Sequence, residues 1–460
     1  MTPGMSKDPR PTARRRKGLP ARPVRAAAVL ASVLLLPLLQ APAAQADEWR
    51  DRQYWLADYG ITDAWKTSRG EGVRVAVIDT GIDSSHPDLT GAVTAGTDVS
   101  GAGAPDGSSS LGPNREHGTL VATLLAGRGH VGEDSEKPKD GQPNPDGVIG
   151  VAPAAELLSV SAWIGGSNPG GIPIEEQIPQ AVRWAVDSGA KVINMSLGST
   201  STAWPESWDD AFLYAEQNDV VIVAAAGNRG GGIAQVGAPA TIPGVLTVAG
   251  LDRGGEASVD SSAQGISIAV AAPAEELIGG LPEGASRYAR WSGSSAAAPI
   301  VAGVAALIRS AYPELSAADV INRIITTAED RGDPGLDPIY GYGVLDAAAA
   351  VGPGLPGAAV NPLGTIEEWI RIHRRGSSPD DAAVPPPVGE PAPDIPSAAA
   401  PEPKTSGLES DALPAVLVLG FGALTAGVAA AGAIRIRRVR RGGGEAVETV
   451  PGAGSDGGGS

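Results

Sequence analysis

Cysteine is absent from the 460-residue sequence, and histidine is scarce. Without cysteine the chain can form no disulfide bond, has no thiol nucleophile and cannot build a thiolate metal site. The four histidines leave few imidazoles for acid–base chemistry. They are His86 in a turn, His130 in a polar loop, His373 beyond the main domain, and His117, which opens a helical pattern. His117 is therefore the best candidate for a catalytic base.

Basic residues are scarce outside the N-terminal segment. The chain has a net charge of −17, and its first 46 residues hold eight of the 35 basic residues but one of the 52 acidic residues. The remainder carries 27 basic and 51 acidic residues. A surface of this sign repels nucleic acid, so we expect no nucleic-acid partner.

Residues 1–46 have the pattern of a cleaved export signal. Basic residues extend to position 25, an apolar run covers 26–39, and the small-residue site Ala44-Gln45-Ala46 follows. The alternative is an uncleaved anchor, which the shortness of the apolar run disfavours. We expect an exported protein.

A second apolar segment, 412–434, is predicted as a transmembrane helix. It is uncharged, and five arginines follow it between 435 and 441. Positive charge marks the cytoplasmic side, so the tail 435–460, Arg-rich and then Gly-rich, is expected inside the cell. The Pro-rich linker 376–411 leaves nothing to bury the segment against, which disfavours a core helix. We expect a single-pass protein of the cell membrane, with the folded part outside the cytoplasm and the lipid bilayer as a partner.

Between 73 and 350 short apolar segments alternate with helical patterns. Predicted strands are 73–78, 157–162, 192–195, 220–225, 245–249 and 266–271, and predicted helices are 117–127, 174–188, 207–218, 295–310 and 316–327. Strands that are apolar throughout are typical of a parallel sheet buried on both faces. The sequence therefore predicts one α/β domain with a doubly wound parallel sheet.

Extensions and loops surround this domain. Residues 47–72 are too few for an independent domain and are expected to pack on this α/β domain. Residues 351–375 form a C-terminal extension that contains a short predicted docking helix within 361–375. The polar segments 100–115 and 130–147 are predicted as mobile surface insertions.

Four polar residues sit where predicted strands end or helices begin. Asp79 and Asn228 each follow a strand, His117 opens a helix, and Ser295 precedes an alanine-rich helix. Each alone has a structural interpretation: the first two as turn residues, His117 as a helix-start residue, and Ser295 as an N-cap with Pro299 in the first helical turn. Together they supply the groups that nucleophilic hydrolysis requires.

In that interpretation each group has a defined task. A serine hydroxyl becomes nucleophilic when a neutral imidazole accepts its proton, and a buried carboxylate orients the imidazole. A helix N-terminus disfavours a charged His117 by about 0.3–1 kcal/mol, whereas a charge-assisted hydrogen bond from the imidazole to Asp79 favours it by about 1.5–3 kcal/mol, so the carboxylate dominates. The backbone N–H of Ser295 and the side-chain amide of Asn228 are the expected oxyanion donors.

The motifs around these residues resemble those of the subtilisin-like serine proteases. They are IDTG (78–81), HGTLVATLLAG (117–127), NMSLG (194–198), AAGN (225–228), GSSAAAP (293–299) and YGYGVLDAAAA (340–350). The resemblance covers about residues 50–350. It implies a catalytic triad of Asp79, His117 and Ser295, with Asn228 and Ser295 in the oxyanion hole. It also implies substrate contacts from Ser196, Leu197, Gly198, Ala225, Ala226 and Gly227.

The order of the segments resembles the mycosins, membrane-anchored subtilases associated with type VII secretion. This resemblance implies a serine endopeptidase that acts on exported proteins or peptides, with membrane components of the secretion system as partners. The alternative is a structural stabiliser of the secretion complex whose proteolysis is dispensable. The sequence indicates no cofactor, and no cluster of oxygen ligands predicts a metal.

Overall fold

The structure, a computed structural model, describes residues 48–374 with gaps at 133–134, 136, 139–143 and 284–286. The predicted export signal, Pro-rich linker, transmembrane helix and cytoplasmic tail lie outside the described residues.

The strands, in chain order, are β1 (Arg74–Asp79), β2 (Val93–Asp98), β3 (Arg128–His130), β4 (Asp146–Ile149), β5 (Glu156–Ser161), β6 (Val192–Met195), β7 (Val221–Ala225), β8 (Leu246–Leu251), β9 (Ile268–Pro273), β10 (Leu277–Gly280) and β11 (Tyr288–Trp291). Seven of them form one sheet in the order β2-β5-β1-β6-β7-β8-β9, and all neighbouring pairs are parallel. The pairs β3–β4 and β10–β11 are antiparallel hairpins.

The helices, in chain order, are α1 (Glu48–Asp51), α2 (Trp55–Asp58), α3 (Ile61–Ala64), α4 (His117–Ala126), α5 (Ile174–Asp187), α6 (Asp209–Gln217), α7 (Ser294–Ala311), α8 (Ala317–Thr326), α9 (Ala347–Val351) and α10 (Ile366–His373). The α/β class and the parallel sheet predicted from the sequence are confirmed. Strand β2 and both hairpins were not predicted, because they are short and lack a continuous apolar run.

Helix α7 lies at the centre of the domain. It packs against β6, β7, β8 and β9 and against α4. Its residues from Ala296 to Ile308 are fully buried, because alanine and glycine let the neighbouring strands approach closely. Of the described helices, α7 alone has the length and apolar composition to cross a membrane. Its burial makes it a core helix of this domain.

The N-terminal extension packs on the domain, as predicted. Trp55 is completely buried. The Gln53 side chain donates to the backbone oxygen of Ile149 at 2.8 Å and accepts from its N–H at 3.0 Å. The Tyr54 hydroxyl donates to the backbone oxygen of Glu275 at 2.8 Å. The extension is thus joined to both hairpin regions.

The loop 100–115 is packed, contrary to the prediction of a mobile insertion. Its residue Gly107 is buried with φ +69°, and a Cβ there would lie 2.5 Å from the backbone oxygen of Ser159. The Ser159 hydroxyl donates to the Gly107 oxygen at 2.7 Å, and the N–H of Leu111 donates to the oxygen of Thr80 at 2.7 Å. The prediction was wrong because these partners are distant in sequence.

Pro299 is not in the first turn of α7, contrary to the prediction. The helix begins at Ser294, which makes Pro299 its sixth residue. Proline has no N–H, so the carbonyl of Ser295, four residues earlier, has no helical donor. The hydroxyl of Ser196 donates to that carbonyl at 2.8 Å. The helix tolerates the proline because a donor outside the helix replaces the missing bond.

We predict that Ser196→Ala lowers the free energy of unfolding by about 1–3 kcal/mol, because it leaves the partly buried Ser295 carbonyl without this donor. Adding Pro299→Ala supplies a helical N–H and offsets part of this loss. Urea unfolding of the four variants of this cycle, all in a Ser295→Ala background that prevents self-cleavage, measures the coupling. Additive effects would contradict the proposed replacement of one donor by the other.

Candidate active site

A buried carboxylate and an imidazole form the centre of the site. Asp79 ends β1 and is fully buried, and His117 is the first residue of α4. The His117 Nδ1 atom lies 2.8 Å from Oδ1 and 3.0 Å from Oδ2 of Asp79. A Cβ on Gly118 would lie 2.2 Å from the Gly81 oxygen, so glycine lets α4 approach the turn after β1.

The electrostatics of this pair favour the charged imidazole. Burial lowers the pKa of His117, but the negative charge of Asp79, the hydrogen bond to it and the charge of Glu116 together raise that pKa above its usual value. The negative charges thus outweigh burial, and the direction agrees with the expectation from the sequence that Asp79 favours the charged imidazole. The pair can stabilise an imidazolium formed during a proton transfer.

Trp291 covers one side of the imidazole. The hairpin β10–β11 carries this residue over α4, and its ring meets that of His117 edge-on with 5.7 Å between centroids. Trp291 was not predicted from the sequence, because no apolar pattern indicated the hairpin. The indole limits access of water to the imidazole from this side.

Ser295 and His117 line the same cavity, which has a volume of about 260 Å³. The Ser295 hydroxyl donates to the backbone oxygen of Ser196 at 3.1 Å. The structure therefore brings the serine to the site with its hydroxyl bonded to a carbonyl and not to the imidazole. Since a serine side chain has three staggered rotamers, rotation about its Cα–Cβ bond redirects the hydroxyl.

Asn228 also lines this cavity and has a fixed orientation. Its Oδ1 accepts from the backbone N–H of Ser294 at 2.8 Å and from the Ser294 hydroxyl at 3.0 Å. The same hydroxyl accepts from the N–H of Gly227 at 3.0 Å. With Oδ1 engaged, the amide NH2 remains as donor. Ser294 was missed as a positioning group, although a hydroxyl directly before Ser295 was visible in the sequence.

The loop that follows Asn228 is held by a neighbouring segment. Arg229 donates through Nε to the oxygen of Ser262 and through Nη2 to the oxygen of Ser258, each at 2.8 Å. The N–H of Gly230 donates to the oxygen of Asp260 at 2.9 Å. A planar guanidinium that binds two carbonyls restrains the backbone on which the amide is mounted.

Five of the six predicted substrate-contact residues line the cavity: Ser196, Leu197, Gly198, Ala225 and Gly227. Ala226 does not line it: this residue is buried, and its N–H donates to the oxygen of Val248 at 2.9 Å. Ile233, which was not predicted, forms an opposing wall. A Cβ on Gly227 would lie 2.7 Å from Cγ2 of Ile233. Apart from His117, none of the described residues that line this cavity has an ionisable acidic or basic side chain.

The other histidines lie elsewhere. His130 Nδ1 is 2.7 Å from Oδ1 of the buried Asp88, next to His86, and His373 ends α10. Within the described ranges, no group of three or more His, Asp or Glu side chains is placed to hold a metal ion.

Comparison with known proteins identifies the family of this chain. The family model described as the subtilase family (Peptidase_S8) matches residues 70–343. Subtilisin DY of Bacillus licheniformis is 36% identical over 286 residues, which cover 61% of this chain and 92% of that protein. Mycosin-3 of Mycobacterium tuberculosis is 36% identical over 364 residues, which cover 66% of this chain and 73% of that protein.

A solved structure gives the same result. The MycP3 protease from the type VII (ESX-3) secretion system superposes with a TM-score of 0.54 and 31% identity, covering 68% of this chain and 90% of that one. The chain belongs to the subtilase family and is a subtilisin-like serine protease related to the mycosins.

Proposed function

We propose that this protein cleaves peptide bonds with Ser295 as nucleophile, His117 as general base and Asp79 as the group that orients the imidazole. The observation that carries the proposal is the hydrogen-bonded Asp79–His117 pair beside a cavity that Ser295 and Asn228 also line. Among the described residues, Asp88 and His130 form another pair of a buried carboxylate and an imidazole, but neither residue lines the cavity beside Ser295.

The mechanism follows from these positions. The Ser295 hydroxyl rotates away from the Ser196 oxygen, transfers its proton to His117 Nε2 and forms a bond to the peptide carbonyl carbon. The resulting oxyanion accepts from the Asn228 amide and from the Ser295 N–H, which has no helical acceptor in the first turn of α7. The imidazolium then gives its proton to the leaving amine, and water releases the acyl group by the same route.

The cavity limits which residue precedes the cleaved bond. We propose that this side chain enters between 196–198 and 225–227, with Ile233 as the far wall. Glycine at 198 and 227 opens the entrance, while the isoleucine restricts the depth. A charged side chain would find no counter-charge there, so the site favours small, uncharged residues.

The ends of the chain support a location outside the cytoplasm. We propose that an export signal and a single C-terminal transmembrane helix anchor the protease at the outer face of the cell membrane, where it cleaves exported proteins. The relationship to Mycosin-3 and to a protease from a type VII secretion system supports a role beside such a system.

A fluorophosphonate should label the purified wild-type protein on Ser295 alone. Ser295→Ala should lose the label. Its kcat for peptide hydrolysis should fall by on the order of a millionfold, which is the loss known for a subtilisin that lacks its nucleophilic serine. Ser310→Ala, at the far end of α7, is the matched control and should label normally. Peptide mapping of the adduct is the measurement, and a label on another residue would contradict the proposed nucleophile.

The acidic limb of kcat/KM should have its midpoint above about 6.5, the usual pKa of histidine. The base must be neutral, and Asp79 raises the pKa of His117, so activity is lost as the pH falls through the raised value. Glu116→Gln removes a negative charge that raises the His117 pKa less than Asp79 does, so this variant should move the midpoint downward. Initial rates across pH measure the midpoint for the wild type and for the variant. A midpoint that is unchanged or higher in the variant would contradict the assignment of Glu116 as a charge that raises the His117 pKa.

Ile233→Ala should widen the cavity beside Ser295. We expect the ratio of kcat/KM for substrates with Phe against Ala before the cleaved bond to rise by about tenfold or more. Ile266→Ala is the control, because that side chain is 90% exposed and lies outside the cavity. A preference that does not change in the Ile233 variant would show that another residue sets the limit.

A further inference from the structure

A second, larger cavity continues from the one beside Ser295. Its volume is about 870 Å³, and it shares the wall residues Ile164, Leu197 and Gly198 with the smaller cavity. Three indole rings also line it: Trp163, Trp204 and Trp208. We call it the aromatic groove. A peptide held at Ser295 can extend into the groove without leaving the surface.

The outer wall of the aromatic groove is fixed by an element beyond the family domain. Trp204 stacks at an angle on Trp369 of α10, with 4.4 Å between ring centroids. Its indole N–H donates to Oδ1 of Asp209 at 2.7 Å. Trp204 is 8% exposed, so the position of its ring is set by the side chains packed around it.

Arg374, directly after α10, closes the same cluster. Its Nε donates to Oδ2 of Asp209 at 2.8 Å, and its Nη2 donates to the backbone oxygen of Trp204 at 3.1 Å. Its guanidinium also lies 4.8 Å from the centroid of Trp369. One cation therefore binds the carboxylate, the backbone and the aromatic partner of Trp204 at once.

The other end of α10 is attached to α6. The backbone N–H of Ile366 donates to Oε2 of Glu216 at 2.9 Å, and Thr365 caps the helix by accepting from the N–H of Glu368 at 3.2 Å. Ile366 is 2% exposed. The helix is thus held at both ends, and it lies outside residues 70–343 that match the subtilase family.

We infer that α10 is part of the substrate site: Trp369 and Arg374 are positioning residues that hold Trp204 as the wall of the aromatic groove. The groove accepts a large apolar side chain of an extended peptide, on the N-terminal side of the cleaved bond. This inference rests on the proposed function. The C-terminal extension, which the sequence indicated only as a docking helix, then contributes to the choice of substrate.

The chemistry of the cluster supports a positioning role. Removal of Trp369 leaves one face of Trp204 without its aromatic partner, and replacement of Arg374 leaves Asp209 without its cation. Both changes allow the indole of Trp204 to move. Among the described residues, no hydrogen bond or ring contact joins this cluster to Asp79, His117 or Ser295. Binding of long substrates should weaken, and the chemical step should remain.

The experiment compares a short and a long substrate on the full chain. The short substrate is a single acetylated alanine with a reporter amide, and the long ones carry one Phe placed two, three or four residues before the cleaved bond. For the best long substrate of the wild type, Trp369→Ala and Arg374→Met should each raise KM about three- to tenfold, as expected for loss of one aromatic contact, and leave kcat unchanged. Constants for the short substrate should not change.

Three further variants make the result decisive. Ile372→Ala alters an exposed side chain of the same helix and should have no effect, whereas Trp369→Phe retains a ring and should recover most of the affinity. Trp204→Ala should raise KM for the long substrate by itself, and adding Trp369→Ala should raise it no further. Equal losses for both substrates, a fall in kcat alone, or additive effects of the two tryptophan changes would overturn the inference.

Failure of the inference differs from failure of the proposed function. Suppose that a fluorophosphonate labels the wild type, that the wild type cleaves both substrates, and that the ratio of KM for the long substrate to KM for the short one is the same in the variants. Only the role of α10 is then overturned. If the wild type is neither labelled nor active, the proposed function fails, and the inference fails with it.

Discussion

The hydrogen bond between Asp79 and His117 is the interaction on which the rest of the site depends. A carboxylate with no solvent exposure is costly to hold unless it is paired, and His117 supplies the partner at 2.8 Å. The parallel sheet delivers the carboxylate at its carboxyl edge, Gly118 lets the helix approach, and Trp291 covers the imidazole. A raised His117 pKa is the electrostatic consequence.

The start of α7 meets two requirements at the same place. It must present Ser295 at a helix N-terminus, and it must satisfy backbone groups that a proline leaves without a partner. The Ser196 hydroxyl donates to the Ser295 carbonyl, which Pro299 leaves without a helical donor. Ser294 fixes the amide of Asn228 by donating to its Oδ1. The proposed nucleophile Ser295 therefore directly follows Ser294, the residue that orients the Asn228 amide, and the hydrogen bonds around the two serines support one another.

The sequence was sufficient for features that depend on local pattern. Strand β7 is a continuous apolar run, Asp79 is marked by the end of a strand, and His117 is marked by the start of a helix. Contacts between distant segments were not predictable in the same way. Arg374 reaches the backbone of Trp204 across 170 positions, and no periodicity relates the two. The donor that compensates Pro299 and the packing of the loop 100–115 depend likewise on distant partners.

Proton NMR of the purified protein at low pH tests the central claim most directly, because a hydrogen bond between an imidazolium and a buried carboxylate moves its proton to the low-field end of the spectrum. We expect one such resonance, assigned to the Nδ1 proton of His117, which disappears in Asp79→Asn and titrates with the pKa of the imidazole. Its absence in the wild type, or its persistence in Asp79→Asn, would contradict the pairing on which the site depends.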